Sequence, residues 1–195
     1  LPSLSLPCHL SVATRTISGF STPVNLSNST LASNDPDVAV DSSDTVIVVW
    51  SELASTDLVY ALCTGAGTIA LSVAPRAGRV VGFESVAEAV ADARANAEAN
   101  GIANVEFRAG DVADLLESAE PADVVIADPG RTGLPRRAVL RLAGAPPRRI
   151  VYASCAVEPQ ARDVARLTGW RVVRIQPFDM VPHTPHVENL VLLER

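Results

Sequence analysis

Cys155 closes the run Arg149-Ile-Val-Tyr-Ala-Ser-Cys155, an apolar stretch that reads as a strand with a thiol at its end. A thiol there, beside the N-terminus of a following helix, has its thiolate favoured by the helix dipole and can act as a nucleophile. The competing reading is an inert buried cysteine, the commoner fate of an isolated one. Glu188 opens the last apolar run and can face the same crevice as Cys155. Thr64-Gly65-Ala66-Gly67 is a tight turn whose glycines let a ligand approach the backbone, and the helix behind it offers unpaired N–H groups. Three acids stand at the ends of other apolar runs: Glu84 after Arg79–Phe83, Asp111 after Val105–Arg108, and Asp128 after Asp123–Ala127. Each has a structural alternative. Glu84 can be a helix N-terminal acid ahead of Ser85, Asp111 a helix cap, and Asp128-Pro129-Gly130 a plain turn. His183 and His186 lack a third ligand nearby, so a structural role is preferred and no metal is expected.

These residues need elements to hold them, and from Leu58 onward the sequence alternates short β-rich runs with Ala-rich helical stretches. Leu58–Cys63 reads as a buried strand and Thr68–Val73 as the helix after the glycine turn. Val86 to Asn100 reads as a longer helix, with Val86, Val90 and Ala93 on one face and Asn100-Gly101 as its stop. Arg171–Gln176 and Asn189–Leu193 follow with no convincing helix between them, so they should pair antiparallel. The pattern predicts a doubly wound α/β domain with a Rossmann-like, mostly parallel sheet, an antiparallel C-terminal strand, and ligands at the C-terminal strand ends. A glycine turn after the first strand, an acid after the second and an acid after the third fit a nucleoside-bearing cofactor. The third glycine of the dinucleotide fingerprint is missing, which makes a nicotinamide cofactor the weaker fit.

Residues 1–57 differ in composition. They hold eighteen Ser/Thr against nine in the rest of the chain, and one Arg against six carboxylates. One strand stands out there, Thr45–Trp50, and the remainder reads as loop or weakly extended. The expected organisation is therefore a Ser/Thr-rich segment 1–57 followed by a domain 58–195. The full chain has 195 residues, 48% of them hydrophobic, with mean hydropathy +0.23, enough for a core and too much for global disorder. No apolar run approaches a membrane span, and the opening Leu-Pro-Ser-Leu-Ser-Leu-Pro lacks the basic start of a secretory signal. Leu1 rather than Met opens the sequence, which leaves room for residues ahead of it. Three scattered cysteines make no disulfide framework, so a cytoplasmic setting is expected. The net charge of −6 argues against a nucleic-acid partner at first sight. All sixteen basic residues are arginine, however, and six of them (Arg131, Arg136, Arg137, Arg141, Arg148 and Arg149) cluster where phosphate could be met. A solvated helix face is the equal alternative.

In their order, these strand ends resemble the catalytic domain of the S-adenosylmethionine-dependent RNA (uracil-5-)-methyltransferases. The likeness runs from Leu58 to Arg195. It is most specific in Gln176-Pro-Phe-Asp-Met-Val-Pro-His-Thr-Pro-His-Val-Glu-Asn-Leu-Val-Leu-Leu-Glu-Arg195, with support from Arg149–Cys155 and Arg79–Glu84. The resemblance implies S-adenosyl-L-methionine as cofactor and a uridine of tRNA or rRNA as substrate, with no DNA or membrane partner and a monomeric enzyme. It assigns the cofactor site to Cys63, Gly65, Gly67, Thr68, Glu84, Asp111 and Asp128, the nucleophile to Cys155 and the general base to Glu188. The chain departs from the family pattern at Ala61, Gly130 and Ala156-Val157. The upstream Phe-x-Gln-x-Asn segment has only a distant echo in Phe20–Asn25. Those departures keep a second reading open, a catalytically silent or truncated cofactor-binding domain. A methyltransferase acting on small molecules is a third, disfavoured by the strand-end cysteine paired with a C-terminal glutamate.

Overall fold

The computed structural model describes residues 53, 55–144, 147–179, 183–184 and 187–195, together with the backbone of short strands between residues 11 and 50. The chain forms two compact units, Leu1–Leu53 and Ala54–Arg195. In the first, Ser11–Val12 pairs with Val24–Asn25, Arg15–Thr16 with Gly19–Phe20, and Pro36–Val40 with Val46–Trp50, all antiparallel. The strand expected at Thr45–Trp50 is thus one arm of a hairpin whose other arm, Pro36–Val40, the sequence pattern did not single out. Cys8 lies outside the described residues, as do residues 21–23 of the Phe20–Asn25 segment.

The second unit alternates strand and helix in the order the hydrophobic runs dictate: β1 (Leu58–Leu62), α1 (Thr68–Val73), β2 (Arg79–Glu84), α2 (Ala87–Ala99), β3 (Val105–Ala109), α3 (Val112–Ser118), β4 (Val124–Ala127), α4 (Arg136–Gly144), β5 (Arg149–Ser154), α5 (Val157–Val164), β6 (Arg171–Phe178) and β7 (Glu188–Glu194). They build one seven-stranded sheet in the order β6-β7-β5-β4-β1-β2-β3. The first five strands in chain order are parallel. β7 runs antiparallel between β5 and β6. The architecture is the mostly parallel, Rossmann-like doubly wound sheet expected, with antiparallel C-terminal strands.

Continuous apolar runs make strands buried on both faces, and β1, β4 and β5 are such runs. Tyr60, Leu62, Phe83, Ile150 and Tyr152 pack with Leu116 of α3 and Val139 and Leu142 of α4 in one cluster. Each such side chain stabilises the fold by about 1.5–3 kcal/mol relative to exposure. α2 differs from its expected form at its start. Val90, Ala93 and Ala97 are buried, whereas Val86 precedes the helix and is exposed. Its N–H is held by the Glu84 carboxylate instead of joining the apolar face.

Candidate active site

The topology brings Glu84, Cys63, Asp128, Cys155 and Glu188 to the same end of the sheet, where the parallel strands finish. Phe83, Leu62 and Ala127 are in register across β2, β1 and β4. Glu84, Cys63 and Asp128 come one position later on the same three strands. The ladder continues to them, since the Thr64 N–H donates to the Phe83 carbonyl and the Asp128 N–H to the Leu62 carbonyl, each at 3.2 Å. Strands continue outward from β1 to β2 and β3 on one side and from β4 to β5 on the other. This end is therefore the switch point at which an open α/β sheet parts into a crevice. On the far side, Ser154 of β5 pairs with Asn189 of β7 as the last rung. Cys155 and Glu188 each stand one residue beyond that rung, on the neighbouring strands β5 and β7. Asp111 caps α3 at the same end, beside β2 and β3.

The glycine turn is built for close approach. Gly65 has φ +53° with open space where a side chain would project, and its N–H donates to Glu84 Oε2 at 2.9 Å. Gly67 has φ +92°, and a Cβ there would meet Phe107 Cζ at 2.9 Å and Ala93 Cβ at 3.1 Å. Thr68 begins α1, a helix with no side-chain cap on its first N–H groups. Glu84 is buried and accepts from the Gly65 N–H and, through Oε1, from the Val86 N–H at 3.0 Å and the Ser85 hydroxyl at 3.1 Å. Burial alone would raise its pKa, but these hydrogen bonds outweigh it and hold the carboxyl below the usual range. The helix-start role and a ligand-facing role thus coincide in one ionised group. Asp111 accepts from the N–H groups of Ala113 and Asp114 at 2.9 and 3.2 Å through Oδ1, so the capping alternative is realised.

The remaining groups differ in their electrostatics. Cys63 sits at φ +58°, and burial, reinforced by the charges of Glu84 and Asp128, pushes its thiol up to about 12. That environment disfavours its thiolate. Cys155 is exposed, the accessible thiol of the two described cysteines. Asp128 is shifted upward by burial, and among the described residues nothing donates a hydrogen bond to its carboxylate. Glu188 is half-buried, and burial followed by the nearby Asp128 charge raises its carboxyl from 4.5 to about 7. A carboxylate balanced near neutrality, one residue past the same rung as an exposed thiol, suits proton transfer.

The arginine cluster resolves into mostly structural partners. Arg137 pairs with Asp114 and Glu117, Arg148 with Asp57 and Arg149 with Glu194, while Arg141 donates to the Leu116 carbonyl. Arg131 and Arg136 are exposed and make no such pairing among the described residues. His183 is exposed at φ +70°, and His186 lies outside the described residues. No three His, Cys, Asp or Glu side chains cluster as a metal site requires among the described residues. A concavity of about 440 Å³ between Arg94 and Ala97 of α2 and Val105–Arg108 of β3 lies along the sheet's outer strand, away from the crevice.

Sequence reasoning missed the polar groups under the site. Gln160 and Asp163, on the inward face of α5, are 1% and 0% exposed. Asp163 accepts from the Leu134 N–H and the Tyr152 hydroxyl, both at 2.9 Å, and so ties the loop after Asp128 to α5. The one available signal was a helix with polar residues three apart where an apolar face should be.

The model of a methyltransferase domain family matches residues 59–167, more than half of the chain. The chain belongs to the methyltransferase domain family. A protein of Porphyromonas gingivalis described as an uncharacterized RNA methyltransferase is 50% identical over 154 residues, 75% of this chain and 33% of the relative. A similarly described protein of Bacteroides thetaiotaomicron is 48% identical over 74% of this chain and 33% of its own length. The chain thus spans about one third of these relatives. The crystal structure of Pyrococcus abyssi tRNA (uracil-54, C5)-methyltransferase with S-adenosyl-L-homocysteine superposes at TM-score 0.67 and 30% identity, over 90% of this chain and 46% of that one. Among the described residues of this methyltransferase domain, no helix is long and apolar enough to cross a membrane.

Proposed function

We propose that the chain transfers a methyl group from S-adenosyl-L-methionine to C5 of a uridine in tRNA or rRNA, through a covalent bond between Cys155 and C6 of the base. The carrying observation is the register that leaves exposed Cys155 and half-buried Glu188 one residue past the same rung, next to Asp128. Relatives described as RNA methyltransferases and the Pyrococcus structure support the substrate class. In this reading residues 58–195 form the catalytic domain, monomeric and cytoplasmic, with 1–57 a separate segment.

The residues fit the cofactor. Glu84 is an ionised acceptor suited to a ribose diol, Gly65 leaves space beside it, and the Asp128 carboxylate and the buried Thr64 hydroxyl are without hydrogen-bond partners among the described residues. Cys63, Gly67, Thr68 and Asp111 would complete the cradle. When bound, the cofactor supplies an electrophilic methyl carbon and leaves as S-adenosylhomocysteine once C5 has taken that methyl. Uracil C5 is a weak nucleophile by itself. Attack of the Cys155 thiolate on C6 forms the S–C6 bond and moves the electron pair of the C5–C6 double bond into an enolate, which makes C5 nucleophilic. After methylation Glu188 removes the C5 proton, the double bond re-forms, and the thiolate is expelled. The target base must leave its stack to reach Cys155.

The test incubates the protein with labelled S-adenosylmethionine and unmodified bulk RNA and looks for 5-methyluridine, with Cys155→Ala alongside. A product that needs Cys155 is expected, and an equally active Cys155→Ala protein refutes the mechanism. A second reading, a domain that binds cofactor without turnover, draws on the two arginines left for phosphate and the one-third span of the relatives. Cofactor binding without product would favour it.

A further inference from the structure

The reaction proposed above needs its base held against its nucleophile, and the two belong to different strands. A helix glutamine joins them. Gln160 of α5 is 1% exposed, and its Nε2 donates to the Tyr152 carbonyl of β5 at 2.8 Å and to the Asn189 carbonyl of β7 at 3.0 Å. Its Oε1 accepts from Asn189 Nδ2 at 2.6 Å. Both donor hydrogens and the acceptor of the amide are therefore used: Asn189 lies on the rung that precedes Cys155 and Glu188, and Tyr152 two residues further back on β5. The turn around Cys155 is closed from its other side. The Ala156 N–H donates to Ser154 Oγ at 3.1 Å, and Ala156 caps the helix that carries Gln160.

A buried amide is a poor choice if packing is all that is needed. It stabilises little beyond an apolar residue of the same shape, and losing any one partner leaves a buried polar group unsatisfied. What it adds is direction: one side chain fixes α5, β5 and β7 at a single separation. We propose that Gln160, coupled to Asn189, is a positioning residue that holds the Glu188 carboxylate against the Cys155 thiol. This rests on the proposed methyl transfer for its purpose, though its geometry can be tested without RNA or cofactor.

The first arm measures alkylation of Cys155 by iodoacetamide at pH 8, followed by peptide mass spectrometry, in the full chain. If Glu188 is held beside the thiol, Glu188→Gln removes a neighbouring negative charge, favours the thiolate and speeds alkylation about fivefold. In Gln160→Met and Asn189→Ala backgrounds the same change should give less than about twofold, a double-mutant cycle with Cys155 as reporter. Equal acceleration in every background, or none in the wild type, overturns the proposal. Asn189→Ala carries the test where Gln160→Met does not fold. The second arm follows methylation. Either variant should lower kcat about tenfold or more with the RNA KM within about twofold, and more RNA should be trapped on Cys155 because C5 deprotonation lags. Unchanged kcat overturns it. A wild-type chain with no methylation counts against the proposed function, and the alkylation arm then decides this proposal alone.

Discussion

Replacing Glu188 with Gln should abolish turnover and yet make the fold more stable at pH 8. The carboxyl rises from 4.5 to about 7 because burial and the Asp128 charge penalise its ionised form. The folded state therefore binds the proton more tightly than the unfolded chain. Glu188 costs the fold nothing below pH 4.5, an increasing amount between 4.5 and 7, and its full amount above 7. Each tenfold difference in proton affinity is worth about 1.4 kcal/mol. Halving the sum for a half-buried, solvent-screened group leaves about 1–2 kcal/mol. For a unit of this size that is a rise in Tm of about 3–8 °C. The assay is thermal unfolding of wild type and Glu188→Gln from pH 4 to pH 8, without RNA. The Tm difference should be near zero at pH 4, grow through the window and level off above 7. A difference that ignores pH, or a variant less stable than wild type at pH 8, refutes the reasoning.

Four further outcomes follow from the site. Because the base that frees the product must be unprotonated, the single-turnover rate of 5-methyluridine release from Cys155 should climb about tenfold between pH 6 and pH 8, and Asp128→Asn should move the midpoint down. Gly67→Ala, with its Cβ against Phe107 and Ala93 at a left-handed φ, should lose about 2–4 kcal/mol in urea denaturation. Asp111→Ala removes the α3 cap and should cost about 1 kcal/mol by the same measurement. Combined Arg131→Glu and Arg136→Glu should weaken RNA binding and lower its salt slope by about 1.4–1.8, whereas charge loss at the ion-paired Arg137 should leave that slope unchanged.

The parts of this molecule that are local in sequence were readable there. Strand ends such as Glu84, Asp128 and Cys155 announce themselves because a buried parallel strand is a short apolar run that must stop at something polar. The glycine turn and the Asn100-Gly101 stop are equally local. What could not be read depends on partners distant in the chain. The arginine cluster looked like one basic patch, but Arg148 and Arg149 are matched by Asp57 and Glu194 across the fold. Val86 looked like the start of an apolar face, until Glu84 claimed its N–H. Gln160 and Asp163 resemble surface residues of a polar helix; only the docking of α5 on β5 turns that face inward. The runs allow Glu188 to face the crevice of Cys155, but the rung that both follow comes from strand order, which a list of runs does not contain.

The placement of β7 between β5 and β6 has a consequence for synthesis. During translation β5 emerges long before β7, and until β7 arrives β5 has an open hydrogen-bonding edge, with Ile150 and Tyr152 awaiting the Leu193 and Val191 rungs. β6 is made first of the final pair but bonds only to β7, so it cannot dock by itself. The nascent domain thus passes through a five-stranded stage with one edge fit to recruit the wrong strand, a setting in which chaperone dependence and aggregation are common. Because Glu188 opens the strand that seals this edge, the base joins the thiol only when the sheet is complete.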